Sequence, residues 1–191
     1  MSIKLLFGIV ASIFSIACFA PYFRDVFLKK TNPHSYSWLV WSILQSVGVL
    51  AILSDRGGYG VLGLGIGAFL CTCMFLLSLK YGTKNITKFD TICLVGSLIA
   101  IGIWLFEKNA LHSVILISII DFVGFLPTYR KGYEEPFTET ISTYFMSALA
   151  VVFDIFALSH YSITTTLYLG TLLFSNGFFV LLLVTRRKLL L

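Results

Sequence analysis

Ser12-Ile13-Phe14-Ser15-Ile16-Ala17-Cys18-Phe19-Ala20-Pro21-Tyr22-Phe23-Arg24 and Ser118-Ile119-Ile120-Asp121-Phe122-Val123-Gly124-Phe125-Leu126-Pro127-Thr128-Tyr129-Arg130 carry one pattern twice, at a constant offset of 106 residues. In each, a small or polar residue recurs at every third position and the stripe closes on a proline. The first stripe is Ser12, Ser15, Cys18, Pro21; the second is Ser118, Asp121, Gly124, Pro127. That spacing lays the stripe along one face of a helix. Both stretches end in an aromatic-basic step, at Arg24 and at Arg130. A long internal period marks a duplicated architecture, and duplicated membrane helices are frequent in transporters.

The match continues outward. The polar loops Lys29-Lys30-Thr31-Asn32-Pro33-His34-Ser35-Tyr36-Ser37 and Glu134-Glu135-Pro136-Phe137-Thr138-Glu139-Thr140-Ile141-Ser142 align at an offset near 105. Both run into Ser/Thr-rich helix starts, which suit N-capping. The second helix then pairs Trp41 with Met146, Ser42 with Ser147 and Gln45 with Ala150. In the third the offset drifts to about 104 and pairs Thr72 with Asn176.

Composition sets the class. Of 191 residues, 58% are hydrophobic and only 12% charged, against about 25% charged in a soluble domain. Apolar runs cover 3–23, 37–53, 59–79, 91–106, 110–129, 140–158 and 163–184, each near the ~17–25 residues that span a bilayer. They use nearly the whole chain and leave no room for a soluble catalytic domain. The expectation is an all-α membrane protein of seven transmembrane helices. Helices one to three form a bundle over 1–82, and five to seven a second over 108–191. Three helices invert the chain, so a fourth, in the linker 83–107, must cross before the second unit starts from the same side. The two bundles are then parallel repeats.

Eleven basic residues (Arg24, Lys29, Lys30, Lys80, Lys84, Lys88, Arg130, Lys131, Arg186, Arg187, Lys188) fall on one side of this layout, and Lys4, Arg56 and Lys108 on the other. Basic loops stay cytoplasmic, so the N-terminus is expected outside and the C-terminus inside. The net charge of +5 is thus a topology signal at helix ends, not a nucleic-acid patch. Lys4 and the following apolar run resemble a signal peptide, but cleavage near Ala20 would remove the helix that pairs with the fifth. Cys18, Cys71, Cys73 and Cys93 all lie inside apolar runs, without metal-site spacing. Gly63 and Gly67 form a small-xxx-small pair that permits close helix approach. No Ser/His/Asp arrangement, metal cluster or cofactor motif is visible, so neither an enzyme nor a cofactor is expected.

Few side chains can carry function. Asp121 lies near the middle of the fifth run, where a carboxylate is costly and faces a cavity or a partner. It is a candidate coupling or solute-binding group. Asp154 lies near the outer end of the sixth run, where it reaches the interface, caps the fold near His160 or belongs to the solute pathway. Asn176 and Gln45 bring amides that both donate and accept. Trp41 can stack on a planar solute, and Trp38 reads as an interfacial anchor. Ser15, Thr72 and Met146 complete the expected lining by repeat position. Pro21 and Pro127, each lacking a backbone donor, are candidate gating hinges.

Three helices, an inverting fourth, three more helices and prolines on the first and fifth resemble the SWEET sugar-transporter and PQ-loop superfamily over nearly the whole chain. The segments 32–41 and 84–90 are similar to a bacterial seven-helix subgroup of it. The resemblance implies a bacterial inner-membrane carrier that moves a small polar solute by alternating access, with a lipid bilayer around it and room for homo-oligomerisation. It also implies solute-binding asparagines on helices three and seven; Asn176 matches the second, whereas Thr72 stands at the first. The PQ dipeptide is replaced by Pro21-Tyr22 and Pro127-Thr128. Asp121 is similar to the intramembrane acids of proton-coupled exporters. The alternative is a non-transporting sensor or accessory subunit on the same fold.

Overall fold

Each apolar run becomes one helix in the computed structural model, which describes residues 2–104, 106 and 109–190. The helices are α1 (Ile3–Phe27), α2 (Ser35–Ser54), α3 (Leu62–Tyr81), α4 (Lys88–Trp104), α5 (Ala110–Glu134), α6 (Ile141–Ala157) and α7 (Ile163–Leu190). Among the described residues there is no strand. Among the described residues, five spans are long and apolar enough to cross a membrane: α1, α2, α5, α7, and α3 with its preceding 3₁₀ turn Gly58–Val61. Large apolar side chains such as Ile13, Phe69, Leu76, Ile119 and Leu181 project outward, as a lipid-facing surface requires. The chain is a multi-pass membrane protein. Lys108, assigned above to the sparsely charged side, lies outside the described residues.

The helices pack in matching pairs. α1 lies on α3, as α5 lies on α7; α2 lies on α3, as α6 lies on α7. Across the middle, α1 packs on α6 and α2 on α5. α4 stands apart, touching α5 and α2. It is less bland than an apolar linker, because Asp90 in its first turn is buried and paired with Arg130 of α5 at 2.7 Å.

The expected N-capping is absent where the repeat suggested it. α2 starts after His34 and α6 after Thr140, and neither side chain caps its helix. The hydroxyls bond across the molecule instead. Thr140 meets Thr31 at 2.7 Å and donates to Asp25 at 3.0 Å, tying the two polar loops together. Caps do form at Ser2, which accepts from the Leu5 N–H, and at Asn109, which accepts from Leu111 and His112.

Two apolar clusters fill the interior. One, around Leu44, Leu64, Ile117, Leu158 and Leu169, lies toward the α1 N-terminal end. The other is aromatic, built on Tyr22, Trp38, Trp41, Phe125, Tyr144 and Phe179, and lies toward the basic end. Where they meet, packing leaves a cavity.

Candidate functional site

The cavity touches six of the seven helices. α1 contributes Ser15, Cys18 and Phe19; α2 contributes Trp38, Trp41 and Gln45; α3 contributes Gly63, Leu64, Gly67 and Cys71. From the other half come Phe125 of α5, Leu172 and Asn176 of α7, and a face of α6 that runs from Thr143 to Asp154. No described residue of α4 lines it. Its volume is ≈ 60 Å³, room for a few water molecules.

Four of the seven residues expected to line the site meet here: Ser15, Trp41, Gln45 and Asn176; Trp38, read above as an interfacial anchor, is buried in the aromatic cluster and lines the cavity as well. The Gln45 amide donates to Cys71 Sγ at 3.2 Å. The Asn176 amide donates to the Leu172 carbonyl at 2.8 Å, which orients its own carbonyl oxygen. The Trp41 indole N–H is buried without a hydrogen-bond partner.

The other three stand elsewhere. Thr72 is exposed on the outer face of α3, its hydroxyl turned back to Ala68 O at 3.0 Å. Cys71, one residue earlier, takes the cavity position. A step of one residue turns a helix by about 100°, so a one-residue drift in alignment moves a side chain from wall to exterior. Met146 is half-buried against the aromatic cluster, while Ser147 reaches the wall. Asp121 is fully buried but lies behind the wall. Its polar neighbours include the Tyr168 hydroxyl, the Cys71 thiol and Tyr129. Neither carboxylate oxygen, nor the Tyr168 hydroxyl, has a partner with hydrogen-bond geometry. Tyr168 comes in from α7 over Gly48, where an added Cβ would stand 2.5 Å from its ring.

Asp154 is buried in the cavity wall rather than at the interface. Its Oδ1 accepts from the Gly63 N–H at 3.0 Å. Gly63 is the second residue of α3, so this is one of the helix's unpaired N-terminal donors. The glycine pair explains the placement. A Cβ on Gly63 would lie 2.6 Å from Asp154 Oδ2, and one on Gly67 2.6 Å from Gln45 Oε1. The stripe that suggested close helix packing makes room for two polar side chains. Sequence did not reveal this, because the glycines and their occupants lie on different helices.

Toward the basic end the cavity is closed in two layers. The first is aromatic: Trp41 of α2 packs on Phe125 of α5 with ring centroids 4.5 Å apart, and Tyr22 of α1 faces Tyr144 of α6 at 6.3 Å. The second is ionic. Lys131 of α5 and Glu139 of the loop before α6 pair at 2.5 Å with both side chains almost wholly buried. Glu139 also accepts from the Tyr22 hydroxyl at 3.3 Å and the Tyr144 hydroxyl at 3.0 Å. Tyr22 lies on α1, so Glu139 links the two halves at this seal. His34 stands 105 residues before Glu139 and is buried too, 3.4 Å from Asp90. Burial pushes its imidazole below the usual range, while the Asp90 carboxylate acts in the opposite direction.

Pro21 and Pro127 lie inside continuous helices, since α1 runs on to Phe27 and α5 to Glu134. They do not end their helices. Among the described residues no group of three His, Cys, Asp or Glu side chains is placed to hold a metal ion. No protein-family model, curated protein or solved structure matches the chain.

Proposed function

We propose that this chain is an integral membrane carrier that moves a small polar solute by alternating access. The observation that carries the reading is the cavity. Most of its lining residues are buried, it has polar groups in an otherwise apolar wall, and helices from both sequence repeats line it. The two repeats, 1–82 and 108–191, act as parallel three-helix units in a SWEET-like arrangement. The paired contacts support this, because the contacts of α1, α2 and α3 with one another and across to the second unit have counterparts among α5, α6 and α7. Rocking one unit against the other would part the Trp41–Phe125 and Tyr22–Tyr144 contacts and open the basic end. The charge bias puts that end in the cytoplasm and the chain in a bacterial inner membrane. Asp121, buried and unpartnered one layer behind Cys71, is the candidate proton-coupling group.

Flux into reconstituted vesicles tests the reading. Uptake of at least one sugar, amino acid or vitamin-like solute, saturable and lost in Asn176→Ala, is expected. No flux across the panel, from protein shown folded, favours the sensor or accessory-subunit reading.

A further inference from the structure

Glu139, whose carboxylate joins the two halves at the basic end, lies between the 3₁₀ turn Pro136–Thr138 and α6. Its backbone is extended, at φ −122° and ψ 145°, so it sits outside both helical ladders. Its side chain is fully committed: Oε1 pairs with Lys131, and Oε2 accepts from Tyr22 and Tyr144. Its main chain is held from α7. Arg187 Nη2 donates to the Glu139 carbonyl at 2.5 Å. Arg187 Nε and Nη2 both donate to the Pro136 carbonyl, at 2.9 and 2.8 Å. One planar guanidinium thus bridges the two ends of the loop, which its rigid fork of donors suits. The same group stands over the Phe137 ring, 5.4 Å from its centroid.

The neighbouring Arg186 does something different. It donates to the Tyr133 carbonyl at 3.1 Å and lies 3.9 Å over the Tyr133 ring, which ties α7 to the last turn of α5. The first unit holds its equivalent loop from the matching place. There the Thr83 N–H, just past α3, donates to the Pro33 carbonyl at 3.0 Å. Pro33 directly precedes His34, the residue that matches Glu139. That hold is backbone to backbone, whereas the second is a side chain on a helix that reaches the cavity. Leu172 and Asn176 of α7 line the cavity, and Arg187 lies eleven residues beyond Asn176, about 16 Å along one continuous helix. We propose that Arg187 is a positioning residue for the seal. It fixes the Glu139 backbone where the carboxylate meets Lys131, Tyr22 and Tyr144, and so makes closure of the basic end depend on α7. The proposal rests on the carrier reading for its purpose, since it names how that carrier's gate is held.

The test uses the full chain in lipid nanodiscs. Cys18 and Cys71 line the cavity, so their maleimide labelling in a Cys73→Ser, Cys93→Ser background reports the open population. Arg187→Met keeps an apolar stem and removes every donor. It should label at least about fivefold faster than the background. Arg187→Lys keeps charge and donors, and should recover at least about half of that change on a logarithmic scale. Arg186→Met should label at the background rate. Because Arg187 acts through Glu139, Arg187→Met should add less than about twofold once Lys131→Met and Glu139→Gln have removed the pair. Labelling of Arg187→Met at the background rate overturns the proposal. So does an equal acceleration by Arg186→Met, or one that persists in full without the Lys131–Glu139 pair; either would assign Arg187 to holding α7 alone. If Arg187→Met does not fold, Arg187→Gln is read by the same criteria. Flux in vesicles separates the two readings. The expected labelling pattern without flux of any solute removes the carrier and keeps the clasp; flux with background labelling of Arg187→Met does the reverse.

Discussion

The Ser37 hydroxyl of α2 donates to the Gly124 carbonyl of α5 at 2.9 Å, three residues before Pro127. The repeat makes the same bond in the other direction. The Thr143 hydroxyl of α6 donates to the Cys18 carbonyl of α1 at 2.8 Å, three residues before Pro21. All three positions match at 106 residues: Ser37 and Thr143, Cys18 and Gly124, Pro21 and Pro127. Proline removes a backbone donor and disturbs the turn before it. In a membrane, hydroxyls of neighbouring helices satisfy the groups so disturbed. Each bond also joins one repeat to the other. Thr128 adds to the first by donating to Ser37 at 2.9 Å.

These paired bonds predict matching effects at the two prolines. Ser37→Ala and Thr143→Val should each lower stability by about 1–3 kcal/mol, because a buried carbonyl loses a partner. The double variant should be near additive, since the two bonds share no partner. Thermal melts measure the loss. Spin labels on the basic ends of α1 and α5 should report broader distances in the double variant. A loss in one variant and none in the other would argue against matched hinges.

The seal at the basic end predicts a large effect from one carboxylate. Glu139→Gln leaves Lys131 buried without its counter-charge, which costs about 3–5 kcal/mol. Lys131→Met with Glu139→Gln removes both charges and should recover at least about half of that loss. Cys18 and Cys71 line the cavity, so maleimide labelling in a Cys73→Ser, Cys93→Ser background reports opening. Faster labelling in Glu139→Gln alone is expected. Unchanged labelling would mean that the pair stabilises the fold without closing the cavity.

Asp121→Asn separates coupling from structure. The carboxylate is buried and has no hydrogen-bond partner, so the neutral amide should keep or raise the melting temperature. In vesicles that transport, pH-driven uptake should vanish while solute exchange persists in part. Exchange and pH-driven uptake that both match the unaltered protein would remove Asp121 from the mechanism.

His34 predicts acid sensitivity. Its folded-state pKa lies below the ordinary value of 6.5, so folding disfavours the protonated form. Its contribution to stability is complete above pH 6.5 and declines as the pH falls from there toward the folded-state value. The charged groups around it are Asp90, Arg130 and Lys131. His34→Gln should flatten the decline in melting temperature between pH 7.5 and 5.5. An unaltered slope would assign the sensitivity to other groups.

The helices and their number were legible along the chain, because a bilayer demands long apolar spans and the two proline stripes repeat without a gap. Pro21, Pro127, Gln45 and Asn176 were legible for the same reason: each sits where polarity or proline interrupts an apolar run. What sequence could not resolve was rotation. The repeat offset slides from 106 to 104, and each uncertain residue is about 100° of helix. At an offset of 105, Asn176 pairs with Cys71, which lines the cavity; at 104 it pairs with Thr72, which faces outward. Contacts between helices were also invisible in one dimension. Asp154 reaches the cavity because Gly63, 91 residues earlier, leaves space and donates its N–H. Asp121 lies behind the wall beside Tyr168, which packs close over Gly48. Apolar periodicity decides that a helix forms and spans; only packing decides which of its faces meets a neighbour, and therefore which side chains share a site.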